Sequence, residues 1–177
     1  MPRPPDFGVK LFLDVDGVIA PYANRDAEHR ESLFVSVPSR FDGRPPRTYT
    51  LTYSPSVIAE LELLIVDFRL DLVFLSTWNA NHAIQLLVEK LGAFQHFRAL
   101  PIPLPRMSGY PKRWKVEALV RDLRKSPSPF IWIDDEIGTQ RKEARNAFPV
   151  PSLIIQPESV DGLTNEHLSS MRQFLTR

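Results

Sequence analysis

Leu11-Phe12-Leu13-Asp14-Val15-Asp16-Gly17-Val18 is the stretch from which the fold of this chain is read. An apolar run stops abruptly at an acid, a second acid follows two positions on, and a glycine permits a tight turn. With Val9 and Lys10 in front, the run has the length of a strand buried on both faces, as in a parallel sheet. Three further runs share this form: Leu70 to Leu75, Phe130 to Ile133 and Ser152 to Ile155. Ala99 to Leu104 reads as a weaker strand, because its prolines cannot donate to a ladder.

Helical patterns alternate with these runs. Val57, Ile58, Leu61, Leu64, Ile65 and Phe68 keep the 3.6-residue period behind Ser54 as N-cap and Pro55 at the first helical position. A second helix is expected from Ala83, Ile84, Leu87, Val88 and Leu91, closed by Gly92, and a third from Val116, Leu119, Val120 and Leu123 behind Pro111. A fourth follows Asp135 with Ile137, Ala144 and Phe148 inward, and the last starts at Thr164 with Leu168, Met171 and Leu175. The alternation predicts an α/β fold: a doubly wound, Rossmann-like parallel sheet with helices on both faces. Residues 20–53 are too long for an ordinary strand-to-helix connection. Within them Leu33 to Val37 and Thr48 to Tyr53 alternate in polarity about an Asp42-Gly43 turn, predicting a small β-hairpin flap inserted after the first strand.

The 177 residues suit one domain spanning 1–177, and 43% hydrophobic with 24% charged residues is ordinary for a soluble globular chain. No apolar run is long enough for a membrane helix, and the first residues lack a secretory pattern. The absence of cysteine excludes disulfides and thiolate chemistry, and a cytoplasmic location is expected. A net charge of +1 gives no global reason to expect nucleic acid, although arginines outnumber lysines 16 to 6. Neither a GxxxxGK loop nor a GxGxxG turn is present, and His29, His82, His96 and His167 lack ligand spacing.

Ligands of open α/β sheets bind beyond the carboxyl ends of the strands. There the first strand delivers Asp14 and Asp16, the second Ser76 and Thr77, and a later one Asp134, Asp135 and Glu136. Singly, these residues read as turn formers, caps and solvated helix starts, with Thr77 or Asn79 as an N-cap. Together they place several carboxylates on one edge, where a cation must offset their repulsion, and oxygen ligands without His or Cys point to Mg²⁺.

In this pattern the chain resembles the haloacid dehalogenase (HAD) superfamily of aspartate-dependent phosphohydrolases, as a small, minimally capped member. The residues that carry the likeness are Leu11 to Val18 for the first motif and Leu72 to Ser76 for the second. Lys115, with Lys112 as runner-up, answers to the third, and Ile131 to Asp135 to the fourth. The likeness covers roughly residues 8–156. Leu75-Ser76-Thr77-Trp78-Asn79-Ala80 also looks like HAD domains associated with RNA-repair enzymes.

The resemblance implies a Mg²⁺-dependent phosphohydrolase cleaving phosphate monoesters through an aspartyl-phosphate. Asp14 would be the nucleophile, Asp16 the general acid and base, and Ser76 and Lys115 the groups holding the phosphoryl oxygens. Gly17 would allow the tight turn after the acid. Asp14 and Asp134 would bind the metal by side chains and Asp16 by its main-chain carbonyl, with Asp135 directly or at one remove. The expected substrate is a phosphorylated small molecule or a nucleotide or polynucleotide end, with no membrane and no obligate protein partner. The alternative is a catalytically idle binding module for phosphorylated ligands or nucleic-acid ends. At the flap, Arg40, Arg44 and Arg47 could grip extra phosphates, and Tyr49, Tyr53 or Trp78, beside Thr77, could stack a base. A solvated loop and a packed aromatic ladder are the favoured reading of those residues.

Overall fold

The computed structural model describes residues 8–22, 30–38, 45–103, 109–147 and 149–177, save the side chain of Asn81. Five strands form a parallel sheet: β1 (Lys10–Leu13), β4 (Asp71–Phe74), β5 (Arg98–Ala99), β6 (Phe130–Ile133) and β7 (Ser152–Ile155). Their spatial order is β5-β4-β1-β6-β7. β1 and β4, consecutive among the strands of this sheet, pair on one side while β6 lies on the other, so the order reverses about β1, where ligand crevices form in such sheets.

All four β1 residues are buried. Leu11 and Leu13 face a core completed by α1 (Pro55–Asp67), α2 (Ala83–Leu91) and α5 (Asn165–Leu175). Phe12 faces the opposite core, built on α3 (Trp114–Lys125) and α4 (Gln140–Asn146). Helices on both faces explain why the strands read as unbroken apolar runs rather than as alternation. Pro55 opens α1 behind Ser54, Gly92 closes α2 at φ 66°, and Thr164 caps α5 in a reciprocal box with His167.

Three expectations need correction. The strand expected over 99–104 is two residues long and begins at Arg98, because Pro101 and Pro103 remove donors beyond Leu100. The fourth helix starts only at Gln140, after a turn at Gly138, so fully buried Ile137 precedes it, and Phe148 lies outside the described residues. Neither Thr77 nor Asn79 is the cap before α2. Ser76 Oγ accepts from the Trp78 amide at 3.3 Å and opens a 3-10 turn, Thr77–His82, while Asn79 Nδ2 donates to the carbonyls of Phe74 and Leu100.

The insertion contains a separate antiparallel pair, β2 (Glu31–Val37) and β3 (Arg47–Tyr53). Val35 and Val37 are buried in the same core as α2, while Phe34 is exposed. The expected Asp42-Gly43 turn lies outside the described residues. At the amino end of the sheet Lys10 Nζ is buried against Asp122 Oδ2 at 2.8 Å and the Ser126 carbonyl at 2.9 Å. Arg98 bridges Asp122 and Asp71 there. No described helix is long and apolar enough to cross a membrane.

Candidate active site

The register of the sheet levels the ends of its central strands. Leu13 lies beside Phe74 and Ile133, and the Asp14 amide donates to the Ile133 carbonyl at 3.1 Å. Asp14 and Asp134 therefore emerge side by side from β1 and β6, with Asp135 following. Carboxylate oxygens of all three lie within 4.8 Å of one another. Asp14 and Asp134 are 4% and 0% exposed, far drier than a solvated acidic turn would be.

Two backbone amides fix the inner carboxylates. The Val15 amide donates to Asp14 Oδ1 at 2.7 Å, and the Glu136 amide donates to Asp134 Oδ1 at 2.9 Å. Their second oxygens both face Lys115, which reaches in from the first turn of α3. Its Nζ pairs with Asp14 Oδ2 and lies 2.8 Å from Asp134 Oδ2. Burial alone would lower the Lys115 pKa, but Asp14 and Asp134 outweigh it and hold the ammonium charged. Burial, reinforced by the Asp14 charge, pushes Asp134 upward. Burial also raises Asp135, with a Ser159 hydrogen bond drawing it partway back.

The turn after β1 completes this floor. The Val15 carbonyl accepts from the amides of Val18, Ile19 and Ala20, folding the chain back on itself. Gly17 sits at φ 69°, and a Cβ there would overlap the Asp135 carboxylate and come 3.1 Å from the Asp135 Cβ. Glycine is needed twice over, for its backbone angle and for the room its neighbour takes. Gln156, just beyond β7, donates to the Asp135 carbonyl at 2.9 Å and accepts from the Gly138 amide at 3.2 Å. Its position past a strand end was the only sequence signal for that clamp.

Asp16 stands to one side of the three-carboxylate cluster. Trp78 Nε1 donates to both of its carboxylate oxygens, at 3.0 and 3.1 Å. Burial pushes the Asp16 pKa up, the indole N–H pulls it back, and the Asp14 charge pushes it up again. Trp78 is 7% exposed, with Tyr49 of the flap edge-on at 5.2 Å. Its indole N–H is therefore engaged inside the site. Tyr53, the other aromatic considered for stacking, donates its hydroxyl to Glu31 across the flap sheet at 2.9 Å.

Two clefts meet at Asp16, Tyr22 and Thr77. One, about 490 Å³, runs beneath the flap past Tyr49 and Trp78. The other, about 820 Å³, runs over Asp14, Lys115 and Asp135 toward Lys112 and Arg113. Tyr22 is exposed, and burial plus the charges of Asp16 and Asp135 push its hydroxyl up to about 12. Ser76 is fully buried beneath these clefts with its hydroxyl on the Trp78 amide, whereas Thr77 reaches both. Lys112 lines the larger cleft but stays off the carboxylates, so the structure brings Lys115 to Asp14 and not Lys112. Arg47 is exposed at the start of β3 and lines neither cleft, while Arg40 and Arg44 lie outside the described residues.

The donor set fits a hard divalent cation. Three carboxyl groups cluster beside a single ammonium, and every available ligand is oxygen. No curated protein matches the chain. A family model described as the HAD domain in Swiss Army Knife RNA repair proteins matches residues 10–168, which takes in every element from β1 into α5. That match covers about nine-tenths of the chain and joins a parallel α/β sheet whose central strand leads directly into Asp14, so the chain belongs to this HAD family, whose fold supports a phosphoesterase-type function.

Proposed function

We propose that the protein is a Mg²⁺-dependent phosphomonoesterase working through a covalent aspartyl-phosphate. The observation that carries this reading is the clustering of Asp14, Asp134 and Asp135 at the end of the central strand, with Lys115 paired to the first two. A carboxylate attacks an anionic phosphate only where positive charge offsets their repulsion. Asp14, Asp134 and Asp135 would hold Mg²⁺, with the Asp16 main-chain carbonyl as a further ligand. The ion would supply Lewis-acid neutralisation of phosphoryl charge.

In the first step an Asp14 oxygen bonds to phosphorus in line with the leaving oxygen. The bond from phosphorus to the leaving oxygen breaks, and the Asp16 carboxyl gives that oxygen its proton. Lys115 balances charge on Asp14 before attack and on the phosphoryl oxygens during it. In the second step water attacks the aspartyl-phosphate, Asp16 takes its proton, and phosphate departs from Asp14. Ser76 stiffens the turn that aims Trp78, and of the two residues it is Thr77 that lines the clefts. The phosphoryl contact expected of Ser76 therefore passes to Thr77 in this reading.

The substrate is a nucleotide or polynucleotide end, a reading supported by the RNA-repair setting of the family. The open, two-armed site supports it as well. The test is release of phosphate from para-nitrophenyl phosphate and from a 3′- or 5′-phosphorylated oligonucleotide, with Mg²⁺ or chelator. Wild type and Asp14→Asn are compared. Turnover should need Mg²⁺ and fall at least about a thousandfold in the variant, since losing the nucleophile removes on the order of 4 kcal/mol or more of barrier lowering. Turnover indifferent to Asp14 would defeat the reading.

A further inference from the structure

We infer that Trp78 is the positioning residue for the acid–base carboxylate, orienting Asp16 toward the leaving oxygen rather than stacking on substrate. The inference rests on the phosphomonoesterase reading and deepens it at one atom, the indole Nε1.

Asp16 lies on the turn that follows β1, not on the strand, so the sheet ladder does not fix its side chain. Among the described residues, the Trp78 indole N–H is the one hydrogen-bond donor on its carboxylate. The nearly equal distances, 3.0 and 3.1 Å, place the N–H between the two oxygens and set the plane of the group. When one oxygen carries the proton to be donated, the other still accepts from the indole. The same contact therefore serves the acid and its conjugate base.

Trp78 is itself held. Its amide donates to the buried Ser76 Oγ within the 3-10 turn, its ring is 7% exposed, and Tyr49 packs edge-on against it. A chain of contacts thus runs from the flap through Tyr49 and Trp78 to Asp16. It passes beside Thr77 and Tyr22, where the two clefts meet. Loss of about an ångström of placement at a catalytic group is enough to cost roughly a hundredfold in rate. An indole contributes a rigid donor at low entropic cost, which suits a group that must hold a carboxylate without competing for the phosphate.

The test uses leaving-group dependence. Departure of an alkoxide needs the proton from Asp16, whereas para-nitrophenolate leaves with little help. For kcat/KM, which reports the steps through bond cleavage, Trp78→Phe should lower turnover of an alkyl phosphate by roughly ten- to a hundredfold. The loss on para-nitrophenyl phosphate should be much smaller, so the ratio of the two shifts at least about tenfold. Asp16→Asn should shift the ratio further, and Trp78→Phe added to Asp16→Asn should shift it no more, because the two act as one unit. Thermal melting of each variant separates loss of fold from loss of alignment.

Equal losses on both esters, or additive effects in the double variant, would reduce Trp78 to a packing residue and overturn the inference. That outcome would leave the Asp14 chemistry standing. If the wild type turns over neither ester nor the phosphorylated oligonucleotide, the phosphomonoesterase reading falls and this inference falls with it.

Discussion

Replacing Gly17 with alanine imposes two penalties that a second glycine allows to be separated. Gly17 and Gly92 have nearly the same backbone angle, φ 69° and 66°. A Cβ at Gly92 would meet nothing within 4 Å, whereas one at Gly17 would overlap the Asp135 carboxylate. Gly92→Ala therefore measures the left-handed backbone strain alone, about 1–2 kcal/mol. In a chain of this size each kcal/mol moves Tm by about 2–4 °C, so the expected loss is about 2–8 °C. Gly17→Ala carries the same strain, and Asp135 must also swing away. The Cβ of Asp135 would stay 3.1 Å from the new methyl, so a change of rotamer relieves most of the overlap and the stability losses should be similar. The cation site should not recover, because one of its three carboxylates has left. Half-maximal Mg²⁺ for phosphatase activity should rise by about ten- to a hundredfold in Gly17→Ala and stay at the wild-type value in Gly92→Ala. Differential scanning fluorimetry and a Mg²⁺ titration of turnover provide both readings. An unchanged Mg²⁺ midpoint in Gly17→Ala would show that Asp135 is not part of the cation site.

Lys115→Met should lower turnover by at least about a hundredfold while Mg²⁺ binding, followed by calorimetry, is undiminished, since the competing ammonium is gone. Weaker binding would mean that Lys115 assembles the carboxylates rather than serving the phosphate. Asp122→Ala should destabilise the fold by about 3 kcal/mol at neutral pH, because Lys10 is left buried without its carboxylate. Burial would raise the Asp122 pKa, but Arg98 and Lys10 overcome that and hold it below the usual carboxylate range. The stabilisation is therefore present above the unfolded-state pKa and is lost as pH falls through the lower folded value. Urea midpoints of wild type and variant should converge in acid, and a pH-independent gap would refute the charge-based account. Thr164→Ala, which removes the cap of α5, should cost about 1 kcal/mol in the same assay.

The sheet was legible in the sequence because burial on both faces leaves a plain mark: Phe12 and Leu13 need apolar neighbours on opposite sides, so β1 cannot alternate. The acids at the strand ends were legible for the complementary reason, since Asp14 and Asp134 interrupt runs that would otherwise continue. What sequence reasoning missed is set by side-chain geometry. Trp78 follows Ser76 by two positions, but only the 3-10 turn carries its indole back over β1 to Asp16. That fold-back also puts Ser76 underneath, its hydroxyl oxygen accepting from the Trp78 amide. Arg98 escaped notice because its partners, Asp71 and Asp122, lie 27 and 24 residues away along the chain.

Strand β1 begins at a buried cation and ends at a buried anion, and the two ends resolve their charge differently. At the amino end Lys10 and Arg98 face Asp71 and Asp122, two charges against two, so that cluster is electroneutral as soon as the chain folds. At the carboxyl end a single ammonium meets a cluster of three carboxyl groups, paired with two of them. Three strand residues, Leu11, Phe12 and Leu13, thus lie between an ionic lock that the polypeptide closes by itself and a cluster that it leaves with more carboxyl groups than cations. Dissolved divalent ions should therefore tighten one pole of the sheet and leave the other indifferent, making β1 a strand anchored by the sequence below and by the medium above.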